Sequence, residues 1–144
     1  MKSTIFIGIA LLFFTTIQSC KKEKSAAPCN RNVAGLTGKY KLSALEYKMT
    51  ATSASTDYLP LMDACEKDDI IELKADGSWI YTDAGTICTP SGTGNGSWTV
   101  LGNVITSDGV VSGTIESYDC KKLILSTINV ILPGDRFTQT LIKQ

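Results

Sequence analysis

The stretch Asp69-Ile70-Ile71-Glu72-Leu73-Lys74-Ala75-Asp76-Gly77-Ser78-Trp79-Ile80-Tyr81-Thr82 decides how this chain folds. Two runs rich in β-branched and aromatic residues flank Ala75-Asp76-Gly77, the pattern of a β-hairpin. Two registers compete for it. A two-residue Asp76-Gly77 turn sets Leu73 against Ile80 and leaves Trp79 and Tyr81 opposite Lys74 and Glu72. A three-residue loop with Gly77 left-handed in a bulge aligns Leu73 with Trp79 and Ile71 with Tyr81 instead. The second register is expected, because it gathers four large apolar side chains on one face, and a slip of one residue would turn them all to the other.

Extended outward, this register sets Cys65 opposite residue 87, one position from Cys88. A Cys65–Cys88 disulfide across the open end of the hairpin is therefore expected. Closing a loop of about two dozen residues contributes roughly 3 kcal/mol in the chain-entropy model. The chain has five cysteines and no histidine. If Cys20 is set aside for lipid attachment, Cys29, Cys65, Cys88 and Cys120 remain, an even set that suggests disulfides in an exported domain. By elimination Cys29 pairs with Cys120. No Cys-x-x-Cys occurs, so no metal site is expected.

Strand patterns continue on both sides of the hairpin. Tyr40, Leu42 and Ala44 alternate with Lys41 and Ser43, the period of a half-buried strand. Thr50 to Asp57 is a patternless loop, and Tyr58 to Met62 reads as a helical turn, with Pro60 in its first positions, covering one end of the core. Ser97–Leu101 and Val104–Ser107 flank Gly102-Asn103, a dipeptide suited to a type II′ turn that puts Trp98, Val100 and Ile105 on one face. Asp108-Gly109 turns into a strand over Val110–Tyr118. Another runs from Lys122 to about Val130 with Leu123 and Leu125 on one face, and Pro133-Gly134 leads to a last one over Arg136–Ile142. About eight strands joined as neighbours predict an all-β fold, an antiparallel up-and-down barrel, with a two-sheet sandwich as the alternative. Eight strands enclose a space just wide enough for side chains or one small ligand.

The beginning of the chain has a different character. Lys2 precedes an apolar run of fourteen residues, Thr4 to Ile17, shorter than the roughly 20 needed for a permanent membrane helix. It ends Ile17-Gln18-Ser19-Cys20, which resembles the lipobox of bacterial lipoproteins. The resemblance implies cleavage before Cys20 and acylation of its sulfur and amine, with more than one chain for stable anchoring. The expected organisation is a leader over residues 1–19, a lipidated tether over 20–34 and a barrel domain over 35–144, held at the cell envelope, with the outer membrane as the expected site and its face left open. The Lys21-Lys22-Glu23-Lys24 run reads as a solvated tether next to the anchor. Without Lys2, thirteen basic residues face fourteen acidic ones, so charge argues for no nucleic-acid partner.

Gly38-Lys39-Tyr40-Lys41-Leu42, Cys65-Glu66-Lys67-Asp68-Asp69, Leu73-Lys74-Ala75-Asp76-Gly77-Ser78, Cys88 and Gly96-Ser97-Trp98, taken together, resemble the lipocalin-like domain of small bacterial lipoproteins. The resemblance runs from about Gly35 to Ile142. It implies a calycin-type barrel able to take a small apolar molecule, although the shortness of the domain argues against a deep cavity. Tyr40, Leu42, Ile71, Leu73, Trp79, Tyr81 and Trp98 are the expected binding residues.

Catalysis finds little support. Without histidine no Ser-His-Asp or Cys-His arrangement exists, and no catalytic residue or cofactor is expected. Asp68 and Asp69 are adjacent on a strand and point to opposite faces, so they read as a solvated strand entrance. Gly92-Thr93-Gly94-Asn95-Gly96 lacks a following lysine and reads as a flexible hairpin connection. Arg136 either covers the barrel end by stacking on an aromatic ring or is simply exposed. Two functions stay open: a barrel that binds a small hydrophobic compound, lidded by Tyr58 to Met62, or a filled barrel acting through its exterior in an envelope assembly.

Overall fold

The computed structural model describes residues 29–144. The leader, the acylation of Cys20 and the lysine-rich run at 21–24 lie outside the described residues. Strand β1 spans Gly38–Lys48, β2 Thr56–Asp57, β3 Ile70–Leu73, β4 Ser78–Thr82, β5 Gly94–Leu101, β6 Val104–Ser107, β7 Val110–Tyr118, β8 Lys122–Ile128 and β9 Arg136–Lys143. All neighbours are antiparallel. β1 and β3 to β9 pair in the order 1-3-4-5-6-7-8-9, and β9 returns to β1, which closes an eight-strand barrel and excludes the open sandwich.

The β3–β4 hairpin adopts the three-residue register, with Leu73 opposite Trp79 and Ile71 opposite Tyr81. Gly77 takes a φ of 83°, and the Lys74 N–H donates to the Ser78 carbonyl at 2.8 Å to close the loop. Gly102-Asn103 is a two-residue turn between Leu101 and Val104 with Gly102 alone at positive φ, as type II′ requires. Asp108 and Gly109 both have positive φ, the type I′ counterpart. The structure forms both disulfides, Cys65–Cys88 and Cys29–Cys120.

Four expectations change. Ala44 does not continue the inward row of Tyr40 and Leu42, because a bulge at Ser43 inserts one residue and Leu45 takes the inward position instead. The loop at 50–57 contains β2, whose Thr56 and Asp57 pair with Tyr47 and Glu46. The glycine run is not a free connection: Gly94 and Gly96 belong to β5 and lie opposite Tyr81 and Trp79. A methyl group at Gly94 would stand 3.7 Å from the Trp79 ring, and one at Gly92 3.4 Å from the Tyr81 ring, ordinary contact distances that place both glycines beside the aromatics. Finally, ordered structure starts before Gly35. Asn32 caps a helical turn, α1 (Val33–Leu36), by accepting from the Gly35 N–H at 2.9 Å, and the turn drives a fully buried Leu36 into the barrel end.

That end is the closed one. Leu36, Tyr40, Leu73, Trp98, Ile115, Tyr118 and Leu123 pack there. The Tyr40 hydroxyl donates to the Leu36 carbonyl at 2.7 Å, the Tyr118 hydroxyl to the Gly35 carbonyl at 2.7 Å, and the Trp98 indole to the Lys74 carbonyl at 3.0 Å. Each of these three buried donors thus finds a partner at the seal, whereas the Trp79 indole nitrogen is buried without one. The chain segments 49–69, 83–93, 108–109 and 129–135 cluster at the opposite end.

Candidate functional site

Between the closed end and those segments the interior is open. A cavity of about 520 Å³ occupies it, within the range of small-molecule sites. A barrel packed solid by its own side chains is therefore not what this sequence builds, and the shortness of the domain does not prevent a cavity. β1 supplies Tyr40, Leu42 and Leu45 to the wall, and the hairpin supplies Ile71, Leu73, Trp79 and Tyr81. Leu123, Leu125 and Leu141 of β8 and β9 close the far side, and Met62 reaches in from the segment after β2. The walls are apolar because inward positions alternate with outward polar ones along each strand.

Six of the seven expected residues line this space. Trp98 does not: it is 3 % exposed and belongs to the closed-end core, where its side chain serves as a plug held by the Lys74 carbonyl. Its inward parity was legible, but its depth was not, since period two tells face and not height along the barrel. The chain also reaches the cavity with Met62, from the expected lid, and with Glu66, Asp69 and Gln139, which local pattern did not assign to it.

Asp69 is the main surprise. It is not a solvated residue but 7 % exposed, and it accepts from the Tyr81 hydroxyl, in a short hydrogen bond, and from the Ala84 N–H at 3.1 Å. Asp68 accepts from the Thr86 N–H at 2.9 Å, while its other oxygen is buried without a partner. Asp83 is buried and accepts from the N–H groups of Cys88 and Gly92. These three carboxylates, with the Cys65–Cys88 disulfide, hold the 83–93 segment against the strand ends. Among the described residues, no group of three potential metal ligands converges.

Burial, followed by the hydrogen bond to Asp69 and the charges of Asp69, Glu66 and Asp83, pushes the Tyr81 hydroxyl well above the usual tyrosine range. The phenol therefore stays protonated and donating. Tyr40 is also pushed up, first by burial and then by its neighbour Tyr118. Asp83 is held below the usual carboxylate range: burial opposes this, but the Cys88 and Gly92 N–H groups outweigh it.

The expected roof over the cavity is only partly built from the Tyr58–Met62 turn. Leu59–Leu61 forms a 3₁₀ turn with Pro60 in its first positions, and Met62 lines the cavity, but Leu61 is exposed. Tyr58 packs edge-on against Phe137, which in turn packs on Tyr47. Arg136 takes no part as an aromatic cover. It is exposed and pairs with Glu116 at 3.6 Å on the outer surface. The cation over an aromatic ring is Lys143, 5.7 Å from the Tyr40 centroid at the closed end.

The family model of the lipocalin-like domain matches residues 36–125, more than half of the chain. No curated protein and no solved structure gives a significant match.

Proposed function

Because the chain belongs to the lipocalin-like domain family, we propose that it is a binding protein whose barrel interior holds one small apolar molecule, displayed at the cell envelope by acyl chains on Cys20. The observation that carries this reading is the open, apolar cavity of about 520 Å³ in a barrel otherwise well packed at its closed end. An apolar molecule seated there gains dispersion contacts with the cavity walls. The fold supplies a preformed container, so binding need not be preceded by ordering of the walls. No catalytic role is part of the proposal.

A chain-length series of straight-chain alcohols, titrated against the full chain and followed by tryptophan emission, tests the container. Each added methylene buries about 0.8 kcal/mol, so affinity should rise roughly fourfold per carbon until the cavity is full and then level off. Leu45→Trp, which puts an indole into the space, should abolish binding while leaving the fold intact. Affinity independent of chain length, or unaffected by Leu45→Trp, would place any binding elsewhere. The anchor is tested separately by metabolic fatty-acid labelling, which Cys20→Ser should eliminate.

A further inference from the structure

The polar groups that reach the cavity are unevenly charged. Glu66 and Asp69 line it, and no lysine or arginine does. Asp83 and Asp68 stand behind Asp69 on the same side, against the 83–93 segment. Two lysines adjoining lining residues are engaged elsewhere. Lys67 donates to the Pro60 carbonyl at 3.3 Å in an exposed position, and Lys143 is held at the closed end by the Gly35 carbonyl and the Tyr118 hydroxyl, with the Tyr40 ring between it and the cavity. Three aromatic residues, Tyr40, Trp79 and Tyr81, contribute to the wall.

We infer that the cavity selects an apolar molecule with a cationic amine head and rejects one with a carboxylate head. This rests on the binding function proposed above and specifies its ligand class. A carboxylate drawn into this space would lose its hydration, meet Glu66 and Asp69 as like charges, and find no cation in compensation. An ammonium meets the opposite situation: the buried Asp69 attracts it through apolar surroundings that screen weakly, the exposed Glu66 adds a smaller, solvent-screened attraction, and an aromatic ring in the wall can add a cation–π contribution. Asp69 can accept from such a head while keeping Tyr81, because an ionised carboxylate has about four lone-pair sites and the protein occupies two. A neutral alcohol should fall between.

The test compares dodecylamine, dodecanol and dodecanoate on the full chain at neutral pH by tryptophan emission, below the concentrations at which they self-associate. The amine should bind at least about tenfold more tightly than the carboxylate, the equivalent of about 1.4 kcal/mol, with the alcohol between them. Glu66→Gln combined with Asp69→Asn should shrink that ratio to less than about threefold, the amine losing more affinity than dodecanol does. Glu66→Gln alone, at an exposed position, gives the same direction with a smaller change if the double variant does not fold. Dodecanoate binding as tightly as dodecylamine overturns the charge preference but leaves the container function standing. A preference that persists unchanged in every folded variant overturns its assignment to these carboxylates. Failure of all three compounds to bind removes the binding function and this inference with it.

Discussion

Gly96 shows how much can depend on one missing carbon. A Cβ there would collide with the Asp108 carboxylate and stand 2.7 Å from the Trp79 indole nitrogen. Asp108 has its own task, accepting from the Ser97 N–H at 2.7 Å, and this bond is the leading reason its carboxyl sits below the usual range. It therefore cannot easily yield to an intruding methyl. Gly96→Ala is expected to cost about 1–3 kcal/mol, the usual range for overpacking, and to displace the Trp79 ring from the cavity wall. Thermal melting and the tryptophan emission maximum check it together, and an unshifted spectrum would mean that Trp79 does not depend on this gap. That Asp76-Gly77 turns the chain was readable from the residues themselves. That Gly96 exists for Trp79 was not, because the partner lies across a strand pair and the competing carboxylate arrives from the next hairpin.

At the level of elements, the segment between β8 and β9 is organised by one buried side chain. Asp135, with no exposed surface, accepts from the N–H groups of Val130, Ile131 and Leu132 at 2.7–2.8 Å and from the Tyr47 hydroxyl at 3.4 Å. Burial works to raise its carboxyl, but those N–H groups and the Tyr47 hydroxyl outweigh it and hold the group below the ordinary carboxylate range. A depressed folded value means that its contribution is fully present above the unfolded value, about 3.9, and is lost as pH falls below that. Acidification from pH 5 downward, about one unit above that value, should therefore loosen residues 129–135 first, seen as faster amide exchange of Val130, Ile131 and Leu132. Asp135→Asn should make that exchange fast already at neutral pH and flatten its pH dependence; slow exchange in the variant would assign the ordering to something else. Pro133-Gly134 announced a turn here, yet the sequence pattern carries no sign that the following aspartate would be its centre.

For the whole molecule, the decisive event is closure. β1 and β9 pair from Tyr40 with Lys143 to Lys48 with Arg136, joining the two ends of the folded chain. The disulfides act on the same scale. Cys65–Cys88 spans 23 positions and Cys29–Cys120 spans 91. Chain entropy assigns them about 3 and about 4.5 kcal/mol, so replacing Cys29 and Cys120 by serine should lower the melting temperature more than replacing Cys65 and Cys88. The reverse order would show that local anchoring of the 83–93 segment outweighs loop length. The sequence by itself determined the hairpin register, the turn chemistry, the antiparallel order of neighbours and the Cys65–Cys88 pairing, because each depends on period two, turn residues or short separations, and the long-range Cys29–Cys120 pairing followed only as the remainder of an even set. Only the tertiary structure decided that the barrel encloses a cavity rather than a filled core, that Trp98 seals it while Trp79 faces it, and that Asp69 is buried beside Tyr81. Those outcomes depend on a bulge that shifts parity in β1, on the height of each residue along the barrel axis, and on loops that meet only after closure. None of these is written in the spacing of residues along one strand.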